Sequence, residues 1–339
     1  MLDLGFEVTE ERFTYSQFPA RFAPLICGSI FAAGVLLAGH LSYSHSLPLA
    51  GIAAAFAGLG VAAALGSFLL ERTGSLAPMR STASNLVATR RNAAGPPAIW
   101  LVAHTDSKSQ TIPMLVRVAS VGAAGICFIL LIAILVAHFT GFPEAVGIPI
   151  HLTGAHALAG SVITAIAVVP LALCFITDRS PGALDNATGV AAVLLALEHL
   201  GPDRNVGVLF TSAEEMGLAG ARAFVASRTA KGIAINCDTI DKSGNFICMS
   251  DDVRRRDAIA MSKAGKTVGE IIKVRHTIRG ILTDSIALRR GGWDSCTLSR
   301  GNLGTLARVH TPRDEPGRID GAGVALAARI LAATIEELS

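Results

Sequence analysis

Four apolar runs constrain the fold of this chain more than any other feature of its sequence. They are Phe22–Leu41, Leu47–Leu70, Val118–Phe139 and Ala157–Ile176, and each is nearly free of charged residues. A helix of about 20 apolar residues is long enough to cross the hydrocarbon core of a bilayer. The whole chain is 51% hydrophobic and 16% charged, with a mean hydropathy of +0.52. We therefore predict an integral membrane protein with four transmembrane helices that form two hairpins.

The positions of Lys and Arg predict how the chain is oriented. The loops at 42–46 and 140–156, which join the paired runs, contain neither residue. The opposite side carries Arg12, Arg21, Arg72, Arg80, Arg90, Arg91, Lys108, Arg117 and Arg179. Because cytoplasmic loops are enriched in Lys and Arg, we expect a multi-pass protein of the cell inner membrane with both termini and the polar domain in the cytoplasm.

The apolar runs also divide the chain into segments. We expect a cytoplasmic N-terminal segment at 1–21 and a first transmembrane hairpin at 22–70. Residues 71–112 form a linker and the first part of the polar domain. A second hairpin at 113–177 is inserted into that domain, and 178–339 form its remainder.

The polar segments alternate between predicted strands and predicted helices. The strands are Ala98–Ala103, Val206–Thr211, Gly232–Cys237 and Gly292–Ser299, and the helices are Asn186–Leu200 and around Gly217–Ser227. This alternation predicts an α/β fold with a largely parallel sheet covered on both faces. In such sheets, ligands bind beyond the carboxyl ends of the strands.

Histidines and carboxylates collect at the predicted ends of these strands. They are His104, Asp106, Asp185, Glu214, Glu215, Asp238 and His310. One such residue alone is often a helix cap, and capping remains open for Asp185. Carboxylates gathered this closely would repel one another. Cations relieve that repulsion, and a mixed set of His and carboxylate ligands suits zinc.

Five stretches of the sequence resemble the family-28 metallopeptidases, the co-catalytic di-zinc aminopeptidases whose relatives include glutaminyl cyclases and transferrin-receptor-like proteins. The stretches are VAHTDS, GALDNATGVAAVLLALEHL, FTSAEEMGLAGARAFV, INCDTID and VHTPRDEPGRID, in the order that the family has. They cover most of Ile99–Asp106 and Pro181–Ile335. The resemblance implies a three-layer α/β/α zinc-exopeptidase-like domain with a largely parallel mixed sheet, interrupted by the apolar runs.

The resemblance also implies two Zn²⁺ ions per chain and their ligands. Asp185 would bridge the two ions. His104 and Asp238 would complete one site, and Glu215 and His310 would complete the other. Two neighbouring metals hold a bridging water and lower its pKa toward about 7, while one of them polarises the scissile carbonyl.

Two further acidic residues have implied roles in catalysis. Asp106 would orient His104, as carboxylates commonly do for metal-bound imidazoles. Glu214 would be the general base that takes a proton from the water and returns it to the leaving amine. The expected function is hydrolysis of N-terminal peptide bonds by a membrane-bound zinc aminopeptidase whose active site lies near the cytoplasmic membrane face.

Three other functions remain to be weighed. The stretch AHTDSK resembles the corresponding segment of glutaminyl cyclases, which use one zinc, but Asp238 and the stretch DNATG follow the hydrolase pattern. A receptor-like member of the family without catalysis would usually lack ligands that are all present here. A transporter usually has charged residues inside its membrane spans, and these runs contain none.

The substrate and the remaining motifs are less constrained. Because Asp106 and Asp185 flank a membrane hairpin, we expect a peptide or small amide substrate that is associated with the lipid bilayer. The net charge of +3 is too small to indicate binding of nucleic acid. Asp284 and Ser285 resemble a family loop near the substrate pocket, or else cap a helix. Trp293-Asp294-Ser295 departs from the family and is expected to shape the pocket.

Several histidines fall in or beside the predicted outer loops. They are His40, His45, His138, His151 and His156. Two interpretations stay open: a metal or pH-sensing site, and solvated residues at the membrane interface.

Overall fold

The computed structural model describes residues 1–141, 151–278 and 280–339 of the chain. These residues form two compact units. One unit contains residues 1–17, 73–109 and 177–339, and the other contains residues 18–72 and 110–176. The chain therefore leaves the first unit twice and returns to it twice.

The described residues of the second unit form four long helices. They are α1 (Phe18–Ser44), α2 (Pro48–Glu71), α3 (Met114–Thr140) and α4 (Gly154–Ala172). Within the described part of the chain, these four helices have the length and apolar composition that a membrane span requires. The fourth predicted run extends too far, because α4 ends at Ala172 and Ile176 already belongs to a short strand.

Small residues let these helices approach one another closely. A Cβ atom added at Gly34 in α1 would lie 2.7 Å from the Cα atom of Gly58 in α2. A Cβ atom at Gly28 would lie 2.8 Å from the Cβ atom of Ala172 in α4. Packing through small residues is typical of helices that associate in a membrane, where van der Waals contact replaces the hydrophobic effect.

We expect the substitution Gly34→Ala to destabilise the helical unit by about 1–3 kcal/mol, because the new methyl group overpacks the contact with Gly58. The matched control is Gly60→Ala in α2, where an added Cβ atom meets nothing within 4 Å. Thermal unfolding of both variants in the same detergent measures the difference. Equal stability of the two variants would contradict the packing.

The first unit is organised around a large mixed sheet. The strands found among the described residues are β1 (Phe6–Ser16), β2 (Arg80–Arg90), β3 (Ile99–His104), β4 (Ser109–Gln110), β5 (Ile176–Thr177), β6 (Val206–Thr211), β7 (Ile233–Ile240), β8 (Asn245–Ser250), β9 (Lys273–His276) and β10 (Asp294–Gly301). The sheet has the order β1-β2-β6-β3-β7-β10-β8-β9, and β4 pairs separately with β5. The central strands β6, β3, β7 and β10 run parallel to their neighbours in that group.

Helices cover both faces of the sheet. They are α5 (Thr188–His199), α6 (Ala219–Ala226), α7 (Arg256–Thr267), α8 (Asp284–Arg290), α9 (Leu303–Leu306) and α10 (Gly321–Leu338), with short helical turns at Leu2–Leu4, Ala183–Ala187 and Pro316–Arg318. Alternate residues of β3 point to opposite cores: Leu101 packs with α5, α7 and α10, whereas Trp100 and Val102 pack with α6 and α8. This arrangement confirms the predicted three-layer α/β/α fold with a largely parallel mixed sheet.

One edge of the sheet was not apparent in the sequence. β1 and β2 pair antiparallel along their whole length, from Phe6 opposite Arg90 to Ser16 opposite Arg80. The N-terminal segment assigned to residues 1–21 therefore contains a strand of the sheet. Its exposed charged residues, which include Glu7 and Glu10, are common on edge strands, where they discourage pairing with another chain.

The two ends of the second insertion lie side by side in the first unit. The hydroxyl groups of Ser109 and Thr177 are 2.6 Å apart, and the Arg179 amide donates to the Ser109 hydroxyl at 2.6 Å. The long interval between Asp106 and Asp185 is therefore compatible with an uninterrupted sheet, because an insertion is tolerated when its ends stay close.

Candidate metal centre

The carboxyl ends of the parallel strands bring the predicted ligands together. His104 ends β3, Asp238 lies near the end of β7, and Glu215 follows β6. Asp185 lies in the helical turn before α5, and His310 lies in the segment before α10. All five side chains are buried. The sequence therefore identified a set of residues that the fold gathers at one place.

These five residues form two groups that share Asp185. In one group, the Nε2 atom of His104 lies 3.0 Å from Asp185 Oδ1 and 3.8 Å from Asp238 Oδ1. In the other group, the Nε2 atom of His310 lies 3.1 Å from Asp185 Oδ2 and 3.0 Å from Glu215 Oε1. Each group has three ligand atoms within 4.8 Å of one another. We call them the His104 triad and the His310 triad.

The donor atoms of both triads fit a cation better than they fit hydrogen bonds alone. Each Nε2 atom faces two carboxylate oxygens, but one N–H group can point at only one of them. The Oε1 atom of Glu215 is buried and has no hydrogen-bond partner in the described part of the chain. His310 Nε2 lies 3.0 Å from this oxygen without a hydrogen bond of suitable geometry, and a buried carboxylate oxygen left unsatisfied is costly. One His and two carboxylates around one point are ligands that zinc accepts.

Asp106 supports the centre in a different way from the one the resemblance implied. The Nδ1 atom of His104 lies 3.0 Å from the backbone oxygen of Asp106 and 3.8 Å from its carboxylate. The carboxylate of Asp106 instead accepts the backbone N–H groups of Glu214 and Glu215, at 3.0 and 3.1 Å. The backbone of Asp106 thus holds the imidazole, and its side chain holds the two glutamates.

Glu214 lies beside the triads but belongs to neither of them. Its side chain is buried, and burial raises the pKa of Glu214 well above its ordinary value, with the negative charge of Glu215 adding to the effect. Ala213, just before it, has a left-handed backbone with φ of 56°. Non-glycine residues in that region are uncommon and cluster at functional sites. Glu214 is therefore a buried carboxyl group near the triads whose protonated form is favoured.

Asp284 begins α8 and is fully buried. Burial raises the pKa of Asp284 to about 7, and the charges of Asp106 and Asp238 also favour its protonated form. One of its carboxylate oxygens accepts a hydrogen bond from the Thr211 hydroxyl, and the other has no hydrogen-bond partner within the described residues. Asp284 thus lies in the first turn of α8, and it is also close enough to Asp106 and Asp238 for their charges to raise its pKa.

Lys108 is a residue of the centre that the sequence reasoning missed. Its Nζ atom lies 2.6 Å from Glu215 Oε2, on the carboxylate whose other oxygen faces His310. Burial alone would lower the pKa of Lys108, but the charges of Glu215 and Glu214 outweigh it and raise the pKa. The ammonium group therefore stays charged and pairs with Oε2, whereas Oε1 faces His310. The position of Lys108 two residues after Asp106 was the sequence feature that could have indicated a place near the centre.

Trp293 and Asp294 do not shape this centre, which corrects the expectation for that stretch. Trp293 is buried between the helices of one face, with its ring 5.5 Å from that of Phe224. Asp294 pairs with Arg255 at the start of β10. That is the amino end of a parallel strand, whereas the triads lie beyond the carboxyl ends.

The outer-loop histidines are not part of any three-ligand group found among the described residues. The rings of His40 and His45 are 5.5 Å apart, and His138 faces the backbone oxygen of Leu152 at 3.0 Å. The neighbouring residues 142–150 lie outside the described part of the chain.

We expect zinc to stabilise the chain more strongly as the pH rises from about 6 to about 8. The pKa values of Glu214, Asp284 and His104 are raised, so the metal-free folded state binds more protons than the unfolded state. Its stability therefore falls as the pH rises through these values. The pKa values of Asp185 and Glu215 are lowered, so stability from these groups is lost only in acid, below this range.

Zinc binds only deprotonated ligands, so it displaces fewer protons and binds more tightly at the higher pH. Its contribution to the free energy of unfolding therefore grows over the range in which the metal-free chain becomes less stable. The measurement is the melting temperature with zinc and with a chelator at both pH values. A zinc-dependent shift that stays constant between them would contradict the assignment.

Known proteins resemble this chain in sequence and in fold. Residues 164–335 match the model of peptidase family M28. A zinc aminopeptidase from Bacillus subtilis has a TM-score of 0.50 and 16% identity, over 76% of this chain and 50% of that one. An aminopeptidase from Aneurinibacillus sp. strain AM-1 has a TM-score of 0.49 and 16% identity, over 81% of this chain and 55% of that one.

A glutaminyl cyclase from Bacteroides thetaiotaomicron has a TM-score of 0.42 and 15% identity, over 74% of this chain and 76% of that one. The chain spans about half the length of the two aminopeptidases. At these identities, the likeness to the Bacillus subtilis structure concerns the fold alone. No curated protein matches the sequence.

The matched residues begin within α4, so His104 and Asp106 lie outside them and are assigned by their position in the centre. Asp185, Glu215 and His310, the whole of the second triad, lie inside. Since the match to the family covers half of the chain and includes this complete triad, the chain belongs to peptidase family M28.

Proposed function

We propose that this protein is a membrane-bound zinc aminopeptidase that hydrolyses N-terminal peptide bonds with Glu214 as its general base. The observation that carries the proposal is the pair of triads that share Asp185, with Glu214 buried beside them but outside both. A shared carboxylate places two cations close together, and a separate carboxylate is then available for proton transfer.

The residues of the centre divide the work of the reaction. His104 and Asp238 would hold one zinc, Glu215 and His310 the other, and Asp185 both. When bound, two such ions polarise a carbonyl oxygen and lower the pKa of a water toward about 7.

Glu214 accepts the proton of the attacking water and delivers it to the nitrogen of the departing amine. Its burial favours the protonated form, which suits the second of these transfers. Asp106 fixes the backbone of Glu214 through the Glu214 N–H group and thereby limits how far its side chain can drift.

We further propose that α1 to α4 span the cell inner membrane, with both termini and the catalytic domain on the cytoplasmic side. Their length and apolar composition support the spans, and the loop 42–46, which lacks Lys and Arg, supports the orientation. Labelling a cysteine introduced at Ser46 with a membrane-impermeant maleimide tests it: labelling of intact cells from outside supports this orientation, and labelling only after lysis opposes it.

The proposed substrates are peptides or small amides held at the membrane. This proposal rests on connectivity, since the second insertion begins at Gln110, shortly after Asp106, and ends at Ile176, shortly before Asp185. Turnover of one peptide with and without a lipid tether tests it in reconstituted vesicles. Equal values of kcat/KM for the two forms would contradict it.

Glutaminyl cyclisation is the second candidate, and Lys108 is the observation that favours it. This residue belongs to the stretch AHTDSK, which resembles the cyclase segment, and it is engaged with Glu215 inside the centre. Against it, the His104 triad is complete with Asp238, so a second metal has its ligands. The cyclase alternative expects one zinc per chain, and the aminopeptidase expects two.

One experiment separates these functions. The protein is purified in detergent, its metal content is measured, and a peptide library is incubated with the wild type and with Glu214→Ala. Mass spectrometry then detects the products. Loss of single N-terminal residues with the wild type alone supports the aminopeptidase. Loss of ammonia from peptides with N-terminal Gln supports the cyclase. An unchanged library with fully loaded metal sites supports a receptor-like protein without catalysis.

A further inference from the structure

The position of Asp185 determines both triads, yet regular secondary structure does not fix it. Asp185 and its neighbour Asn186 have non-helical backbone angles within the turn Ala183–Ala187, with φ and ψ of −120° and 89° for Asp185. A ligand shared by two metals must hold both of its oxygens in place. Other side chains must therefore fix this turn.

Asp314 holds the turn from the side of the His310 triad. Its buried carboxylate accepts the backbone N–H groups of Leu184 and Asp185, the latter at 3.1 Å. The backbone oxygen of Asp314 also accepts the N–H group of Ala183. Asp314 lies four residues after His310. The same segment therefore supplies the candidate ligand His310 and accepts hydrogen bonds from the backbone at Asp185.

Asn186 holds the turn from the side of the His104 triad. Its Nδ2 atom donates to the backbone oxygen of Cys237 at 2.9 Å, and its Oδ1 atom accepts the N–H group of Thr239 at 3.1 Å. Cys237 and Thr239 flank the ligand Asp238. The Oδ1 atom also accepts the N–H group of Gly189 at 3.1 Å, so both the nitrogen and the oxygen of the Asn186 amide are engaged.

We propose that Asn186 and Asp314 are positioning residues, each of which sets the place of Asp185 for one triad. Asn186 fixes Asp185 against Asp238, and Asp314 fixes it against His310. This inference rests on the proposed two-metal function. Since residues that orient metal ligands typically contribute about 10–100-fold in metal affinity, loss of each one is expected to weaken a different metal site.

The test measures zinc affinity by competition with a chromophoric chelator, without any substrate. Each triad is isolated by removing a ligand of the other: His310→Ala leaves the His104 triad, and His104→Ala leaves the His310 triad. Asn186→Asp, which removes the donor to Cys237, is expected to lower affinity about 10–100-fold in the first background. Asp314→Asn, which removes one acceptor, is expected to do so in the second. In the background that retains the other triad, each change is expected to alter zinc affinity less than about threefold. The reason is that a residue that positions a metal ligand acts mainly on the ligand it contacts.

The controls are the same chemical changes away from the centre. Asn302→Asp alters the residue that caps α9, and Asp320→Asn alters the residue that caps α10. Both are expected to leave the two affinities unchanged. Gly189→Ala is a second way to disturb the contact between Asn186 and Cys237, because its Cβ atom would lie 2.2 Å from Asn186 Oδ1 and 2.4 Å from the Cys237 backbone oxygen. Asp314→Glu is a second variant at Asp314, which keeps the charge and displaces the carboxylate.

Equal weakening of both triads by each variant, or no weakening by either, would overturn the inference. Loss of folding in both variants at a position would also overturn it, because the residue would then serve the fold rather than one metal site. A wild type that binds a single zinc counts against the proposed function instead. Unaltered affinities in variants of a chain that binds two count against this inference alone.

Discussion

The substitution Glu214→Gln is expected to lower kcat by about 10²–10⁴-fold, the usual contribution of a general base, while the metal content stays unchanged. Glutamine keeps the size of the side chain but cannot accept the proton. Because Glu214 lies outside both triads, its replacement removes no metal ligand. The measurement is steady-state kinetics on a confirmed substrate, together with zinc analysis of the same preparation.

The neighbouring residue provides the sharpest comparison. Glu215→Gln alters a ligand of the His310 triad, so it is expected to lower the zinc content as well as turnover. Glu198→Gln, on the exposed side of α5, is the matched control and is expected to change neither. Unchanged turnover in Glu214→Gln would remove this residue from the reaction.

The second large effect concerns the shared ligand. Asp185→Ala is expected to abolish retention of both zinc ions, whereas His310→Ala is expected to abolish retention of one. The reason is that Asp185 offers one oxygen to each histidine, at 3.0 Å from His104 and 3.1 Å from His310. Metal sites need their full set of deprotonated ligands, and two remaining ligands bind zinc weakly.

Zinc per chain is measured after dialysis against a weak chelator, in wild type and both variants. A folded metal-free chain in each case is verified by its circular dichroism spectrum. If Asp185→Ala retains as much zinc as His310→Ala, the two triads do not share this residue.

The sequence was sufficient to select five candidate ligands that the fold brings together, and most of them adjoin a predicted strand or helix. His104 follows the buried run of β3, and Asp238 lies near the end of the buried run of β7. Parallel strands bring such positions to one edge of the sheet. The four central strands and two of the covering helices, α5 and α6, follow from the same alternation.

The contacts that support the ligands were not predictable in this way. Asp106 reaches Glu214 and Glu215, and Asp314 reaches Asp185, across more than a hundred positions of sequence. Residue type and spacing do not disclose such partners, because they depend on how loops meet after folding.

The antiparallel pair β1 and β2, at one side of the sheet, was missed for a related reason. β1 carries charged residues on its exposed positions, and its partner β2 follows only after a complete hairpin of apolar helices. Hydrophobic patterning detects strands that are buried on both faces, and it gives little signal for a half-exposed strand whose partner is far along the chain.

The way in which the chain enters and leaves its first unit has a practical consequence. The Ser16 amide donates to the Thr73 backbone oxygen at 2.7 Å, and the hydroxyl groups of Ser109 and Thr177 are 2.6 Å apart. Each helical hairpin is thus an insertion whose two ends lie next to each other. Replacing each hairpin with a tight turn would rejoin the polypeptide, so the unit of residues 1–17, 73–109 and 177–339 is a realistic engineering target without the four apolar helices.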